Sequence, residues 1–251
     1  MTKEGFPVWM SLDVSTSCIG ITILVEDGSE YGKIAEMTHI SPKTPNKIKG
    51  IESLFLKKRQ FHDFIKTFSK YSIDRVVIEE PLILSNNQYT VATLLRFNGM
   101  ISDCIYNELN IVPTYISSYD ARQYSFPELM AVRKYGKDET IYKPEKILKN
   151  INNNKFVLFG SYPWTIDKKS ILHEKVSALF PDIKWMYDKN GELTKENFDA
   201  TDSYVACLGQ INKERYGELS FKTDNVKVNG KKVEYDVLYW NKKEHRTTHL
   251  I

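Results

Sequence analysis

Residues 7–26 read PVWMSLDVSTSCIGITILVE, in which two apolar runs rich in Val, Ile and Leu flank the polar residues Ser15, Thr16 and Ser17. This pattern is typical of two antiparallel strands joined by a tight turn. Asp13 stands at the end of the first run, where every neighbour suits a hydrophobic core. A carboxylate there needs a partner or a bound cation, because desolvating it alone is costly. Asp13 is therefore predicted either to accept hydrogen bonds from the amides of the turn or to belong to a functional site.

Acidic residues also mark the ends of two later elements. Residues 74–81, DRVVIEEP, predict a short strand that ends at Glu79, and residues 197–210, NFDATDSYVACLGQ, predict a helix. Asp199 and Asp202 are three residues apart and share one helix face. Carboxylates from separate element ends, with no Cys or His ligand motif between them, suit Mg or Mn rather than Zn. The pattern predicts a two-metal site for phosphoryl transfer.

Each of these acids also has a purely structural interpretation. Asp199 and Asp202 would then be an N-cap and a third-position acid that stabilise the start of their helix. Successive side chains of a strand point to opposite faces, so only one of Glu79 and Glu80 can face Asp13. Alternation alone does not decide which of the two faces Asp13, and the other is predicted to face solvent or DNA.

The composition indicates a globular chain. Its 251 residues allow one large domain or one domain with an appendage, and 41% apolar residues are ample for a core. The longest apolar runs have strand length and the N-terminus lacks a signal-peptide pattern, so neither a membrane span nor secretion is expected. A cytoplasmic location is expected instead. The three cysteines, odd in number and far apart, fit neither a disulfide framework nor a zinc motif and indicate a reducing compartment.

The net charge of +3 is unevenly distributed. Residues 133–155 hold seven Lys or Arg against three Asp or Glu, and residues 213–251 hold nine against six. Such basic segments are predicted either to contact phosphates or to be a solvated loop and tail. A histidine between them, His173, is predicted to lie on a helix surface. The candidate DNA-contacting lysines are Lys143, Lys146, Lys149, Lys168, Lys169 and Lys175.

Periodicity predicts the order of the elements. Three strands come first and are followed by helix, strand, helix, strand and two further helices. Residues 120–167 carry several prolines and are predicted to be irregular, as an insertion. Asn229 and Gly230 separate two alternating runs and predict a β-hairpin, because a type I′ turn needs positive φ at both positions. After the hairpin at 7–26, the predicted ranges are 31–40, 48–71, 75–79, 88–109, 111–117, 168–180 and 196–216.

This order corresponds to a ribonuclease H-like fold, a mixed five-stranded sheet flanked by helices. Asp13 on the first strand, Glu79 in VIEEP, and Asp199 and Asp202 in DATD resemble the four-carboxylate pattern of the RuvC family of Holliday junction resolvases, in a phage or viral branch. The resemblance covers residues 8–211 outside the insertion. It implies a nuclease domain over 1–221 with an insertion at about 124–167, and a C-terminal hairpin and tail over 222–251.

The resemblance also implies an activity. Asp13, Glu79, Asp199 and Asp202 would be the catalytic residues and would hold two Mg or Mn ions that activate a water and stabilise the leaving oxygen of a DNA phosphodiester. Members of the family are homodimers that bind branched DNA and nick two strands symmetrically in recombination and repair. A phage-encoded member would act in the host cytoplasm.

Two other functions remain open. The segment DVSTSCIG also resembles the first phosphate loop of actin-like ATPases and sugar kinases, but that fold needs a second Gly-rich loop and the sequence contains no Gly-x-Gly. The second alternative is a non-catalytic DNA-binding protein that has kept the ribonuclease H-like fold.

Overall fold

The computed structural model describes residues 5–81, 87–130, 155–158, 167–228 and 231–240. The chain divides into two compact units. The first contains Met1–Ala121 and Lys169–Leu208, and the second contains Arg122–Lys168 and Gly209–Ile251. None of the described helices is long and apolar enough to cross a membrane.

The first unit contains a mixed five-stranded sheet with the strand order β3-β2-β1-β4-β5. β1 pairs with β2 in antiparallel and with β4 in parallel orientation, and β4 pairs in parallel with β5. This sheet confirms the predicted fold class. The strands are β1 (Val8–Val14), β2 (Ile19–Val25), β3 (Lys33–Ile40), β4 (Arg75–Glu79) and β5 (Thr114–Ile116).

The helices follow the predicted order with small changes at their ends. The predicted helix 48–71 is α1 followed by a 3₁₀ helix, Lys66–Lys70, and the last predicted strand of the sheet shortens to three residues. The second and last predicted helices have the predicted bounds. The helices are α1 (Gly50–Ile65), α2 (Gln88–Leu109), α3 (Ser118–Ser125), α4 (Pro127–Met130), α5 (Lys168–Leu179) and α6 (Glu196–Tyr216).

One face of the sheet forms the main hydrophobic core with α1 and α2. Met10, Leu12 and Val14 of β1 pack there against Phe61 of α1 and Phe97 of α2, among other buried side chains. Because strand side chains alternate, the odd-numbered residues of β1 face the opposite side of the sheet. Asp13 is one of them.

Small residues bring α6 close to that opposite face. Ser203 of α6 hydrogen-bonds Thr22 of β2 through their hydroxyls at 2.8 Å, and both residues are buried. Gly20 of β2 lies directly under the start of the helix, where an added Cβ would be 2.1 Å from the carbonyl oxygen of Asp199. A glycine inside a strand marks such a close backbone approach.

The second unit contains a three-stranded sheet in the order β6-β8-β7, made of β6 (Lys155–Leu158), β7 (Leu219–Val228) and β8 (Lys231–Trp240). Strands β7 and β8 confirm the predicted hairpin. The prediction that 120–167 is irregular is wrong for most of α3, for α4 and for β6. Strand β6 pairs with β8 some eighty residues later, a long-range contact that local periodicity does not show.

Candidate functional site

Two strand ends supply the first two acids of the predicted site. Asp13 lies one residue before the end of β1, opposite Gly20 of β2, and is half-buried. Leu12 of β1 pairs in parallel with Ile78 of β4, so extending this register by one residue brings Glu79 beside Asp13. Neighbouring strands lie about 4.8 Å apart. The two carboxylates therefore rise from adjacent strands on the same face of the sheet.

The neighbouring glutamates differ as strand alternation requires. Glu79 is half-buried and ends β4, whereas Glu80 is exposed and its amide donates to the carbonyl of Ile116 at 2.8 Å. The structure thus places Glu79, rather than Glu80, on the side of the sheet that carries Asp13.

Helix α6 supplies the third and fourth acids. Asp199 and Asp202 have 19% and 3% of their side chains exposed. The absence of a side chain at Gly20 lets the backbone of Asp199 rest on β2, directly opposite Asp13 on β1. The sheet and the helix therefore bring the aspartates of both elements to one place.

Lys169 of α5 is the cation of this cluster. Its Nζ lies 2.9 Å from Oδ2 of Asp202 and 3.6 Å from Oδ1 of Asp199. Burial acts to lower the pKa of Lys169, but the carboxylates of Asp202, Asp13 and Asp199 outweigh it and raise the pKa above its ordinary value. The ammonium is held in its charged form, and 44% of the side chain remains exposed.

The structure excludes Asp199 and Asp202 as N-caps of α6, although Asp199 lies in the first turn, where an acid stabilises the start of a helix. α6 begins at Glu196, so Asp199 is its fourth residue and Asp202 its seventh, and neither is an N-cap. Ser15 closes the turn between β1 and β2, since its Oγ accepts hydrogen bonds from the amide of Cys18 at 3.0 Å and from that of Ser17 at 3.3 Å.

Cys18 and His173 are site neighbours whose positions the sequence did not reveal. Burial and the nearby Asp199 carboxylate raise the pKa of the Cys18 thiol to about 12. The prediction that His173 lies on the helix surface is wrong, because only 4% of the residue is exposed. Its Nδ1 lies 3.1 Å from Oγ1 of Thr201, and its ring packs edge-on against Trp185, so α5 is fixed to α6 one turn after Lys169. Burial lowers the pKa of His173.

Two of the other candidate lysines also belong to α5. Lys168 is exposed at the start of α5. Lys175 is half-buried, with its Nζ 5.9 Å from the ring centre of Tyr31. The last three candidates, Lys143, Lys146 and Lys149, lie outside the described residues.

The donor set fits a hard divalent cation in its chemistry, because carboxylate oxygens are the ligands that Mg and Mn prefer. In the described part of the chain, however, no three His, Cys, Asp or Glu side chains are arranged to hold a metal ion. Two of the acids instead share the ammonium of Lys169.

Solved structures share this fold. No protein-family model and no curated protein matches the sequence. RuvC of T. thermophilus, in complex with a Holliday junction substrate, has a TM-score of 0.52 at 8% identity, covering 84% of this chain and 96% of that one. The yeast mitochondrial Holliday junction resolvase Ydc2 has a TM-score of 0.50 at 10% identity, covering 86% and 84%.

A member of the Ppx/GppA family from Aquifex aeolicus covers 82% of this chain and 89% of its own, but its TM-score of 0.34 is too low to carry an argument. At identities this low the likeness concerns architecture alone. The chain has a ribonuclease H-like fold, which it shares with the structures of RuvC and Ydc2.

Proposed function

We propose that the protein is a metal-dependent endonuclease that hydrolyses phosphodiester bonds of branched DNA such as Holliday junctions, acting as a homodimer. One observation carries the proposal: Asp199 and Asp202 share the ammonium of Lys169, at 3.6 and 2.9 Å. The backbone of Asp199 rests on Gly20, the strand partner of Asp13. Glu79 is aligned beside Asp13 on the adjacent strand. A concentration of carboxylates from three elements at one place is costly for a purely structural role, because like charges repel.

The four acids, Asp13, Glu79, Asp199 and Asp202, would hold Mg or Mn, two ions in the complete site. When bound, these ions would lower the pKa of a water and neutralise charge on the phosphodiester. The ligand set is proposed from its chemistry and from the position of the residues on their strands and helix.

The protein's own residues contribute positioning and charge. Lys169 reduces the repulsion between Asp199 and Asp202, and its exposed part offers a positive group to an arriving phosphate. Buried His173 fixes α5 on α6 and so fixes the distance from Lys169 to the aspartates. Gly20 fixes the distance from α6 to the sheet.

The choice of branched DNA draws on two structural neighbours: RuvC, which was solved with a Holliday junction substrate, and Ydc2, which is named a Holliday junction resolvase. Phosphate contacts by basic residues position such proteins on DNA without regard to sequence. We assign this role to Lys168 and Lys175 of α5, together with the three lysines of residues 131–154 named above. A homodimer matches the two-fold symmetry of a four-way junction.

The direct test is cleavage of labelled four-way junction, flap and linear duplex DNA with Mg or Mn. Asp13→Asn is nearly isosteric and should retain the urea unfolding curve and DNA binding while losing cleavage. Cleavage by Asp13→Asn at the wild-type rate would contradict the proposal. An ATP hydrolysis assay on the same preparation tests the kinase-like alternative, and binding without cleavage by the wild type would indicate the non-catalytic one.

The adjacent glutamates provide a matched pair. Glu79→Gln should lower the single-turnover rate by at least about a hundredfold, the scale of removing a well-placed electrostatic group. Glu80→Gln removes the same charge from an exposed position and should stay within about tenfold. Rates in the reverse order would show that Glu80, not Glu79, serves the reaction.

A further inference from the structure

A cavity of about 260 Å³ lies on the face of the sheet opposite the acids. It is bounded by the β1–β2 turn, the segment before α1, and the first turns of α1 and α2. Among the described residues that line it, none is acidic. Its main polar groups are Thr16, Thr44, Lys49, Ser53, Lys57 and Thr93.

Lys57 is the least exposed cation of this lining. It is half-buried, and its Nζ donates to the carbonyl of Thr16 at 2.6 Å. Burial lowers its pKa, and the described residues place no carboxylate within ion-pair distance of it. The adjacent Lys58, by contrast, pairs with Asp103 at 2.6 Å. Since an ammonium has three donor hydrogens, Lys57 can still donate to an anion in the cavity.

The backbone beside Lys57 adds to the positive character. Lys49 is the N-cap residue of α1, is exposed, and makes no capping hydrogen bond with its side chain. The first backbone N–H groups of α1 therefore point toward the end of the helix that lines the cavity, and the side chain of the N-cap residue does not accept a hydrogen bond from them. Two lysines, hydroxyls and these amides are complementary to a phosphate group.

Size and position narrow the ligand. Pockets for drug-sized molecules begin at about 300 Å³, so this cavity suits a single phosphate better than a whole nucleotide. Thr16 follows Asp13 by three residues, which limits their Cα atoms to a separation of about 11 Å. Successive phosphates of a DNA strand are about 3.4 Å apart along the helix axis, so this reach corresponds to roughly three nucleotides.

We propose that the cavity binds a backbone phosphate of the DNA strand, within about three nucleotides of the bond cut at Asp13. This inference rests on the proposed function. It adds a second contact between the protein and the DNA strand, on the face of the sheet opposite the acids. Its role is to hold the strand in register, so it should affect DNA binding more than the chemical step.

The test compares lysines of one helix. Lys49→Gln and Lys57→Gln each remove one cavity charge, and the double variant removes both. Lys66→Gln removes one charge at the far end of α1, outside the cavity, and is the matched control for each single variant. Binding of fluorescent four-way junction is measured from 50 to 200 mM salt with Asp13→Asn present in every protein to prevent cleavage. Loss of one phosphate contact should reduce the salt slope by about 0.9 in the double variant, and Lys66→Gln should leave it unchanged.

The cleavage step gives a second readout in proteins that retain Asp13. Single-turnover rates of the double variant at saturating DNA should remain within about threefold of wild type. Lys57→Gln also removes the hydrogen bond from Lys57 to the carbonyl of Thr16 in the β1–β2 turn. Lys49→Gln leaves that hydrogen bond in place, so it tests the cavity independently of the turn. Amine acetylation followed by mass spectrometry should show that DNA protects Lys49 and Lys57 and leaves Lys66 reactive.

The outcomes separate the two proposals. If the wild type cuts the junction but the double variant keeps its salt slope and DNA protects neither cavity lysine, the phosphate site is wrong and the nuclease proposal stands. If the wild type neither binds nor cuts DNA, both are wrong. A reduced slope with protection of both lysines supports the site.

Discussion

Replacing Gly20 by alanine tests the packing that brings the acids together. Gly20 lies in β2 directly opposite Asp13, and its Cα faces the backbone of α6. An added Cβ would be 2.1 Å from the carbonyl oxygen of Asp199 and 2.7 Å from the amide nitrogen of Ala200. The obstacles are backbone atoms of a helix, so no side-chain rotation removes the clash.

The size of the effect follows from these distances. Ordinary van der Waals contact begins at 3.4 Å, so α6 must move away by about 1.3 Å, or the strand must bend by as much. Overpacking of this kind costs about 1–3 kcal/mol, while alanine recovers up to about 1 kcal/mol of backbone entropy. We expect a net loss of about 1–2 kcal/mol in the free energy of unfolding. Because a displacement of about 1 Å in a catalytic constellation can cost a hundredfold, cleavage should fall by a similar factor.

The assay is urea unfolding followed by circular dichroism, together with single-turnover cleavage. Gly99→Ala is the matched control, because Gly99 is exposed inside α2 and a Cβ there meets nothing within 4 Å. Alanine at that helical position should stabilise the protein by about 0.5–1 kcal/mol and leave cleavage unchanged. If Gly20→Ala proved as stable and as active as Gly99→Ala, the close approach of α6 to β2 would be refuted.

Three further predictions concern the surroundings of the site. The ordinary pKa of histidine is 6.5, and burial lowers that of His173, so the unfolded chain takes up a proton below pH 6.5 that the folded chain resists. The contribution of His173 to stability should therefore be complete above pH 6.5 and decrease as the pH falls, by at most about 1.4 kcal/mol per pH unit. Urea unfolding from pH 7.5 to 5 measures this decrease, and His173→Gln should remove it. Lys169→Gln removes the ammonium beside the 3% exposed carboxylate of Asp202, so the melting temperature of this variant should be lower than that of the wild type. Millimolar Mg should raise the melting temperature of the variant more than that of the wild type. An equal response to Mg would argue against a cation site. Burial raises the thiol pKa of all three cysteines, to about 12 for Cys18, 11 for Cys104 and 12 for Cys207. Ellman's reagent should therefore modify these thiols only when the protein unfolds. Rapid modification of the native protein would contradict their burial.

The fold of the first unit was accessible from the sequence because its signals are local. The β1–β2 hairpin follows from two apolar runs around a Ser/Thr turn, and β4, α2 and α6 have the predicted bounds since their periodicity is strong. The second unit was less accessible. β6 has four residues and exists through pairing with β8, so no local pattern distinguishes it from a loop.

The candidate site was predicted in its acids but not in its assembly. The alternation of Glu79 and Glu80 and the spacing of Asp199 and Asp202 follow from the geometry of strands and helices. The position of Lys169 does not, because it depends on how α5 packs on α6 through His173. A signal for Gly20 was present, since an isolated glycine in the run IGITILV indicates a close backbone approach.

The charge of the cluster links its structure to its proposed chemistry. The four predicted acids and Lys169 together carry a formal charge of −3 at pH 7. Lys169 forms ion pairs with Asp202 and Asp199, at 2.9 and 3.6 Å. Its side chain is 44% exposed, so solvent and ions reach the acids from the side of Lys169. An excess of negative charge fixed by a sheet and a helix, rather than by mobile loops, cannot be relieved by moving the carboxylates apart. Under the proposed function, cations from solution would relieve it, and oxygen ligands on rigid elements favour small divalent ions. The same argument explains why the sheet face with the acids needs a separate, positively charged surface to bind DNA, a need that the cavity at Lys49 and Lys57 would meet.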